Sequence, residues 1–388
     1  MGDIAIIGGG PAGLTAAIAL ARRGVRSTVF EREAHPDRMP RFNPNRSYPI
    51  DLTGHGLKAV RYIDAVEHFD THMTAFHGIR NGGGVRDPWP EPGWIGSRGD
   101  IMRALMSVAE QRHRDMIDFV FDSDVSSVDV HVGEVAGQRF DLLVGSDGAG
   151  SAVRGAMLDQ VDGFTVETSA VPNYGLILEL DQVGDRLDKH CLNGLGFSPL
   201  TLAAVINDDE KPDGVRWICV VGVKKPITFT SPGQATTWLR KNTPRVLDLT
   251  SDRAVAEFSR REGVHLGQRL TCSSLYGGRA VLLGDAAAAF PPVGQGGNAA
   301  LESAMVLDQC LVSGPLDTAG VRYDAAWKPE ADAVSWIGGQ VRYQNPRMLV
   351  RALVSGAFGI NVFKQAKSST RSYSDVRHAA RRLGPIWA

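Results

Sequence analysis

Three glycine-rich stretches, far apart in the chain, contain or precede acidic residues at spacings suited to holding a dinucleotide. They are GGGPAG at residues 8–13, SDGAGSAVR at residues 146–154 and GDAAAAFPPVGQGGNAA at residues 284–300. Glycines let backbone amides approach phosphates, and carboxylates accept hydrogen bonds from ribose or ribitol hydroxyls. One glycine-rich turn alone is weak evidence. The three stretches in this order predict a single dinucleotide pocket built from distant parts of the chain.

The first stretch lies inside a predicted βαβ unit. Apolar residues 4–7 precede the glycines, a helix rich in Ala and Leu is predicted over 11–23, and a second strand leads to Glu31. A carboxylate at the end of the second strand accepts hydrogen bonds from both ribose hydroxyls. Glu31 therefore favours an unphosphorylated adenosine ribose, as in FAD or NAD.

The glycines of this turn have separate roles. Gly8 permits the tight turn, Gly10 lets the backbone approach a pyrophosphate, and Gly13 lets the helix pack closely on the strand. The helix start, at Pro11 and Ala12, adds free amides and the positive end of the helix dipole.

The second and third stretches each follow a predicted strand. DLLVGS (141–146) is followed directly by Asp147 and Gly148. AVLLG (280–284) is followed by Asp285, where a carboxylate can accept a hydrogen bond from a ribitol hydroxyl. The run from Gly294 to Gly297 then brings backbone amides next to a flat ring.

On these motifs the chain resembles the FAD-dependent aromatic hydroxylases, the single-component flavoprotein monooxygenases of the p-hydroxybenzoate hydroxylase fold. DLLVGSDGAGSAVR and CSSLYGGRAVLLGDAAAAFPPVGQGGNAALESA are most similar to kynurenine 3-monooxygenases and violacein-type indole hydroxylases. The resemblance covers nearly the whole chain. It implies bound FAD, NADPH or NADH as a transient donor, and dioxygen. In this family a flavin 4a-hydroperoxide is attacked by an electron-rich aromatic ring.

The resemblance also implies a set of cofactor contacts. Arg46 and Arg98 resemble flavin-contacting arginines, although an ordinary surface ion pair is the alternative for both. No catalytic acid or base and no metal site is predicted. The predicted cofactor residues are Gly8, Gly10, Pro11, Ala12, Gly13, Glu31, Arg32, Arg46, Arg98, Val125, Asp147, Gly148, Asp285, Gly294, Gly296, Gly297 and Asn298.

The substrate region departs from the family pattern. Kynurenine hydroxylases hold the amino-acid carboxylate with an Arg and a Tyr, whereas here Arg80 is displaced from that position and Trp94 or Ile95 stands near the Tyr position. They also use an Asn and a Tyr of the C-terminal helices, for which Gln340, Val341, Tyr343 and Asn345 offer no clean match. We therefore predict that free kynurenine is not the substrate. An indole or another tryptophan-derived intermediate fits Trp94, Phe76 and Trp336 better if these side chains face the pocket; the alternative is that they are core residues.

Composition excludes several other classes of protein. The chain has 388 residues and a net charge of −1, so no broad attraction to nucleic acid is expected. The four cysteines lack CxxC spacing and are predicted to be reduced core thiols. No secretory signal is visible, which makes the cytoplasm the expected location. The apolar stretch 349–363 is too short to span a bilayer.

The predicted fold class is α/β, with a doubly wound FAD-binding domain, an inserted antiparallel-sheet substrate domain and C-terminal helices. Alternating segments between residues 167 and 260 indicate the antiparallel sheet. A homodimer is one expected assembly. The predicted boundaries are 1–70, 97–165 and 270–330 for the FAD-binding domain, 71–96 and 166–269 for the substrate domain, and 331–388 for the helical segment.

Two other functions stay open at this point. A non-oxygenating flavoprotein, such as a reductase or an FAD-binding protein, would hold the same cofactor without hydroxylating a ring. A flavin halogenase shares the fold, but the WxWxIP segment of halogenases does not occur in this sequence.

Overall fold

The computed structural model describes residues 2–45, 47–345, 361–368 and 371–382. The strands are β1 (Ile4–Ile7), β2 (Ser27–Phe30), β3 (Ile50–Leu52), β4 (Thr74–Arg80), β5 (Arg86–Gly96), β6 (Ile117–Val120), β7 (Val128–Asp129), β8 (Glu134–Val135), β9 (Gln138–Arg139), β10 (Leu142–Gly145), β11 (Val166–Ala170), β12 (Tyr174–Glu179), β13 (Cys191–Phe197), β14 (Leu200–Asn207), β15 (Val215–Val223), β16 (Val264–His265), β17 (Gln268–Cys272), β18 (Tyr276–Gly277) and β19 (Ala280–Leu282).

The α-helices are α1 (Pro11–Ala21), α2 (His55–Tyr62), α3 (Val66–His72), α4 (Arg98–Arg112), α5 (Ala152–Gln160), α6 (Pro232–Asn242), α7 (Pro244–Leu247), α8 (Asp252–Phe258), α9 (Gly296–Val312), α10 (Ala319–Gly339), α11 (Val362–Gln365) and α12 (Tyr373–Arg381). Short 3-10 turns cover Pro36–Arg38, Gly184–Arg186, Gly284–Ala286 and Leu316–Thr318.

A six-stranded sheet forms the centre of the nucleotide-binding part. Its order is β18-β19-β10-β1-β2-β6, and all neighbours are parallel except β18 and β19. Strands β1 and β10 are buried at every position, as expected when helices cover both faces of a parallel sheet. Helix α1 packs against α4 and α9, and α5 packs against β10 and β19. The predicted doubly wound sheet is confirmed.

A second sheet of eight strands has the order β16-β12-β15-β14-β13-β4-β5-β3. Its neighbours are antiparallel except β13 and β4, which run parallel. Apolar residues of α6 and α8 cover one face of its central strands. The opposite face presents the buried side chains of Ile177, Ile206 and Ile218. This alternation follows from the two-residue period of a strand, and the predicted antiparallel sheet is confirmed.

Helices follow the last strand, as predicted. Helix α10 packs against α9 and α12. Most of the apolar stretch 349–363 lies outside the described residues. Within the described part of the chain, no helix is both long enough and apolar enough to cross a membrane. The domain boundaries stay a prediction.

Candidate active site

The three glycine-rich stretches meet at one edge of the six-stranded sheet. The amide of Ser146 donates to the carbonyl of Ile7 (2.7 Å), and the Ser146 hydroxyl donates to the carbonyl of Gly8 (2.7 Å). The amide of Leu283 donates to the carbonyl of Gly145 (2.8 Å). Because β1, β10 and β19 are parallel, their carboxyl ends bring the stretches together, at the edge where open α/β sheets bind ligands.

The first turn has no room for side chains at two of its glycines. Gly8 has a φ of 101°, and a Cβ added there would lie 2.5 Å from the carbonyl oxygen of Ser146. A Cβ on Gly13 would lie 2.0 Å from the carbonyl oxygen of Gly8. Gly10 is the N-cap of α1, Pro11 is its first residue, and Ala12 is buried. The amides of the first helical turn have no intrahelical acceptor and are available to a phosphate.

Glu31 lies at the end of β2 beside this turn. Its Oε2 accepts a hydrogen bond from the amide of Gly9 (2.6 Å), and its Oε1 accepts one from the amide of Glu33 (2.9 Å). Each carboxylate oxygen keeps a further lone pair, so the ribose contact predicted for Glu31 is compatible with these bonds. Arg32 is exposed, and Val125 is half-buried against the main core.

Asp147 lies before helix α5 and binds the first amides of that helix. Its Oδ2 accepts from the amides of Ala152 (2.6 Å) and Val153 (3.3 Å). Its Oδ1 is buried without a hydrogen-bond partner among the described residues. Gly148 has a φ of 81°, and a Cβ there would meet open space. A buried carboxylate oxygen without a partner is costly, so Asp147 fits a site whose ligand supplies the missing donor.

Asp285 and Arg98 lie within electrostatic range of each other. Protein atoms surround Asp285 on most sides, yet both residues are solvent-accessible, as expected for residues that border an open cleft. Burial raises the pKa of Asp285, and the Arg98 guanidinium lowers it. Arg98 also lies over the first turn, because a Cβ on Gly10 would be 3.1 Å from its Nη2. Arg98 therefore connects the phosphate-binding turn with Asp285.

A capping box fixes the start of the helix that carries Arg98. The Ser97 hydroxyl accepts from the amide of Asp100 (3.2 Å), and Asp100 Oδ2 accepts from the amide of Ser97 (2.7 Å). The same oxygen accepts from the amide of Asn207 at the end of β14 (3.2 Å). Asp100 is thus a positioning residue for Arg98. We did not predict it, although the S-x-x-D spacing at 97–100 is the usual signal of such a box.

The third stretch is held in place by the side chain of Asn298. Its Oδ1 accepts from the amides of Thr53 (2.9 Å) and Gly56 (3.2 Å), and its Nδ2 donates to the carbonyls of Asp51 (2.8 Å) and Gly294 (2.8 Å). The amide group of this side chain is fully used by the protein. Asn298 therefore contributes to a cofactor site by positioning the loop and through its backbone.

The start of α9 offers free backbone amides next to open space. A Cβ on Gly296 would meet no atom within 4 Å, while one on Gly297 would make ordinary contacts with Ile50, Leu52 and Ile101, the nearest being Ile50 Cγ2 at 3.4 Å. The first amides of a helix lack intrahelical acceptors and carry the positive end of its dipole.

Together these features fit FAD. Among the described residues there are a glycine turn at a helix start, a partnerless Asp147 oxygen, the solvent-accessible Asp285 beside Arg98, and free amides at α9. Arg46, the other predicted flavin-contacting arginine, lies outside the described residues.

The C-terminal segment contacts the third stretch, which the sequence analysis did not foresee. Lys367 and Asp51 form a buried ion pair, and a Cβ on Gly294 would lie 2.6 Å from the Lys367 Nζ. The Tyr373 hydroxyl donates to Gln295 Oε1 (2.9 Å). No sequence spacing connects these residues, because they meet only in the folded chain.

The aromatics nominated for the substrate pocket pack against hydrophobic clusters. Trp94 packs on Phe69 and donates its Nε1 hydrogen to Asp70 (2.8 Å). Phe76 is fully buried against Trp89. The alternative reading of Trp94 and Phe76 as core residues therefore applies. Trp336 likewise packs against the main core, with the Arg381 guanidinium 5.7 Å from its ring centre.

Arg80 is also engaged by the protein. Its Nη1 donates to the carbonyl of Arg186 (2.9 Å), in a surface groove that Arg86 and Lys189 also line. All four cysteines are buried and unpaired. The described residues contain no group of three or more potential metal ligands.

Comparisons with known proteins agree with this architecture. Residues 6–86 match the family model of an NAD(P)-binding Rossmann-like domain. A kynurenine 3-monooxygenase of Salinispora arenicola is 28% identical over 355 residues, covering 86% of this chain and 77% of its own length. One from Stenotrophomonas maltophilia is 27% identical over 352 residues, with the same coverage of 86% and 77%.

Two solved structures are similar across most of the chain. The tetrameric form of 2-methyl-3-hydroxypyridine-5-carboxylic acid oxygenase has a TM-score of 0.67 at 20% identity and covers 98% of this chain and 96% of its own. PqsL of P. aeruginosa, solved in complex with 2-aminobenzoylacetate, has a TM-score of 0.63 at 19% identity and covers 87% and 94%. The structures agree in fold, and with the curated relatives they confirm the predicted resemblance to FAD-dependent aromatic hydroxylases and the predicted cofactors, FAD and NAD(P)H.

Proposed function

We propose that this protein, a single-component FAD-dependent aromatic monooxygenase, hydroxylates an indole or another tryptophan-derived small molecule. The observation that carries the proposal is the meeting of the three glycine-rich stretches at the carboxyl ends of three parallel strands. Asp285 and Arg98 lie within electrostatic range of each other and of Tyr48, and Tyr48 packs against a buried isoleucine cluster of the eight-stranded sheet.

The chain's own residues would hold the cofactor along the edge where the three stretches meet. The first turn and the start of α1 bind the pyrophosphate, and Glu31 accepts the adenosine ribose. Asp285 accepts a ribitol hydroxyl, and Arg98 neutralises nearby negative charge. The free amides at the start of α9 stabilise negative charge at the edge of the flavin ring. When bound, FAD supplies the redox chemistry by taking a hydride from NAD(P)H and activating dioxygen.

For the substrate, the protein mainly provides orientation and exclusion of water. Such chemistry needs little general acid or base, and we assign no catalytic dyad. An electron-rich ring enclosed beside the cofactor loses its water shell, which limits wasteful release of peroxide.

Free kynurenine is not the substrate that we propose. The relatives named kynurenine 3-monooxygenase support a tryptophan-derived aromatic. Arg80, however, donates to the backbone carbonyl of Arg186. It is therefore not available to bind an amino-acid carboxylate in the way that the anchoring arginine of kynurenine hydroxylases does.

The first test is donor oxidation by the purified, FAD-loaded protein. NADPH and NADH consumption is followed with oxygen uptake across indole-type and phenolic compounds. We expect at least one aromatic to accelerate donor oxidation and to yield a product one oxygen atom heavier. Reduced flavin that persists in air with every compound, without product or peroxide, would instead support a non-oxygenating flavoprotein. A Gly13→Val variant, which we expect to lose FAD, controls for flavin-independent oxidation.

A further inference from the structure

We propose that Lys367 makes the bound flavin easier to reduce by neutralising the Asp51 carboxylate beside the start of α9. The ion pair joins the C-terminal segment, residues 361–368, to strand β3. Neither residue is among the cofactor contacts predicted from the sequence. The inference rests on the proposed function in one respect, because it takes the edge of the flavin ring to lie at the free amides of α9.

The ion pair lies directly beside the loop that leads into α9. An added Cβ on Gly294 would lie 2.6 Å from Lys367 Nζ and 2.7 Å from Asp51 Oδ1, so both charged groups face the same glycine. Gly294 comes two residues before α9, and its φ of 70° lies in the region that favours glycine. The absence of a side chain at Gly294 leaves the room that the two charged groups occupy.

Backbone contacts fix both partners of the pair. The carbonyl of Asp51 accepts from Asn298 Nδ2 (2.8 Å), which also donates to the carbonyl of Gly294 (2.8 Å). A Cβ on Gly54 would lie 2.2 Å from the carbonyl oxygen of Lys367, so the C-terminal segment lies directly on the turn between β3 and α2. The two charges therefore keep a fixed position relative to the first turn of α9.

The protein shields this pair from water. Lys367 is 8% exposed and Asp51 is 6% exposed, and the centre of the Trp89 ring lies 5.5 Å from the Lys367 ammonium. Charges interact more strongly in such surroundings than in water, because the effective dielectric constant is lower. Removing one partner of a buried pair leaves the other charge uncompensated. The intact pair is close to neutral, whereas either charge alone would act strongly on the neighbouring loop.

This charge balance matters because reduction makes the flavin ring negative. A hydride from NAD(P)H brings two electrons and one proton to the ring and leaves NAD(P)⁺, so the reduced ring gains one negative charge. An unpaired Asp51 carboxylate near the ring edge would oppose this gain, and an unpaired Lys367 ammonium would favour it. With both groups present, the free amides of α9 are left to stabilise the anion.

Lys364 forms an ordinary surface ion pair on the same segment. It lies three residues before Lys367, in α11, and its Nζ is 2.8 Å from Asp87 Oδ1. The side chain of Lys364 is 40% exposed and that of Asp87 is 57% exposed. Water and salt screen charges at such exposed positions. Lys364 is therefore a matched control of the same residue type.

The test measures the reduction potential of the FAD-loaded full-length protein, by slow reduction without oxygen in the presence of a reference dye. We expect Lys367→Met to lower the ratio of the affinities for reduced and oxidised FAD by about ten-fold or more, a fall in potential of about 30 mV for a two-electron couple. Asp51→Asn should raise the potential by a similar amount. Lys367→Arg, which keeps the charge, and Lys364→Met should both leave the potential unchanged.

The opposite signs separate an electrostatic role from loss of packing. Damage to the loop would weaken FAD binding in both variants and would not move their potentials in opposite directions. A variant with both Lys367→Met and Asp51→Asn should return to near the wild-type potential, because it has no uncompensated charge. The FAD content of each variant is measured in parallel, and the shift expected for Asp51→Asn decides the question if Lys367→Met retains no FAD.

Unchanged potentials in both Lys367→Met and Asp51→Asn, or shifts of the same sign in both, would overturn the proposal. Wild-type protein that binds FAD but oxygenates no aromatic would instead refute the proposed function. Opposite shifts in such a protein would support the role of the pair and remove only the proposed reaction, so the two failures are distinguishable.

Discussion

Single residues decide whether the cofactor pocket can exist, and Gly13 is the sharpest case. An added Cβ would lie 2.0 Å from the carbonyl oxygen of Gly8. We expect Gly13→Ala to lower the free energy of unfolding by about 1–3 kcal/mol, because α1 must move off β1. Thermal unfolding and FAD titration measure the effect. Gly155→Ala in α5, where the methyl meets open space, is the control, and an equal loss there would contradict the argument.

Asp285 is the residue whose charge matters most to the cofactor. We expect Asp285→Asn to weaken FAD binding about ten-fold or more, since a hydrogen bond to a charged group contributes about 1.5–3 kcal/mol. FAD titration followed by flavin fluorescence quenching provides the measurement, and unchanged affinity would remove Asp285 from the site.

The same substitution predicts a pH dependence of stability without cofactor. Burial raises the pKa of Asp285 in the folded protein. A raised folded-state pKa means that the stabilising contribution is complete below the ordinary pKa and is lost as pH rises through the folded value. FAD-free Asp285→Asn should therefore be more stable than wild type at neutral pH, and the gap should close as pH falls. Urea unfolding at several pH values gives the answer; a gap that widens in acid would reverse our sign.

At the scale of elements, Asn298 joins the start of α9 to β3 and to the start of α2. Its side chain makes four hydrogen bonds to backbone groups. Asn298→Ala leaves these groups without partners, and we expect a loss of about 2–4 kcal/mol in unfolding free energy together with weaker FAD binding. Chemical denaturation measures it. Asn242→Ala, which removes one bond at the end of α6, should cost about 1 kcal/mol or less.

At the scale of the whole molecule, all four cysteines lie in packed interiors. Burial raises the pKa of Cys191 and of Cys272 to about 11, and raises those of Cys219 and Cys310 as well. Thiolates are the reactive form. We expect almost no reaction of the native protein with a thiol reagent at pH 8, and four reactive thiols after unfolding. Rapid modification of the native protein would show that one of them is exposed.

The features of the fold that depend on residues close together in the sequence were predictable, whereas contacts between distant segments were not. The βαβ unit and the two sheets follow from local periodicity, and the glycine stretches meet because parallel strands end at a shared edge. The partners of Lys367 and Tyr373 were not foreseeable, because they come from distant parts of the chain that meet only after the sheets pack. We nominated Trp94 and Phe76 as pocket residues because of their size and position in the sequence. In the structure both pack in hydrophobic cores.

The central claim is that the protein transfers one oxygen atom from dioxygen to an aromatic ring bound beside FAD. The most direct measurement is a single turnover of the FAD-loaded, NADPH-reduced protein with oxygen-18 gas and a neutral indole-type compound, analysed by mass spectrometry. Our account predicts one oxygen-18 atom in the product, and none from protein without FAD. Labelled peroxide without a labelled product, for every aromatic that binds, would contradict it.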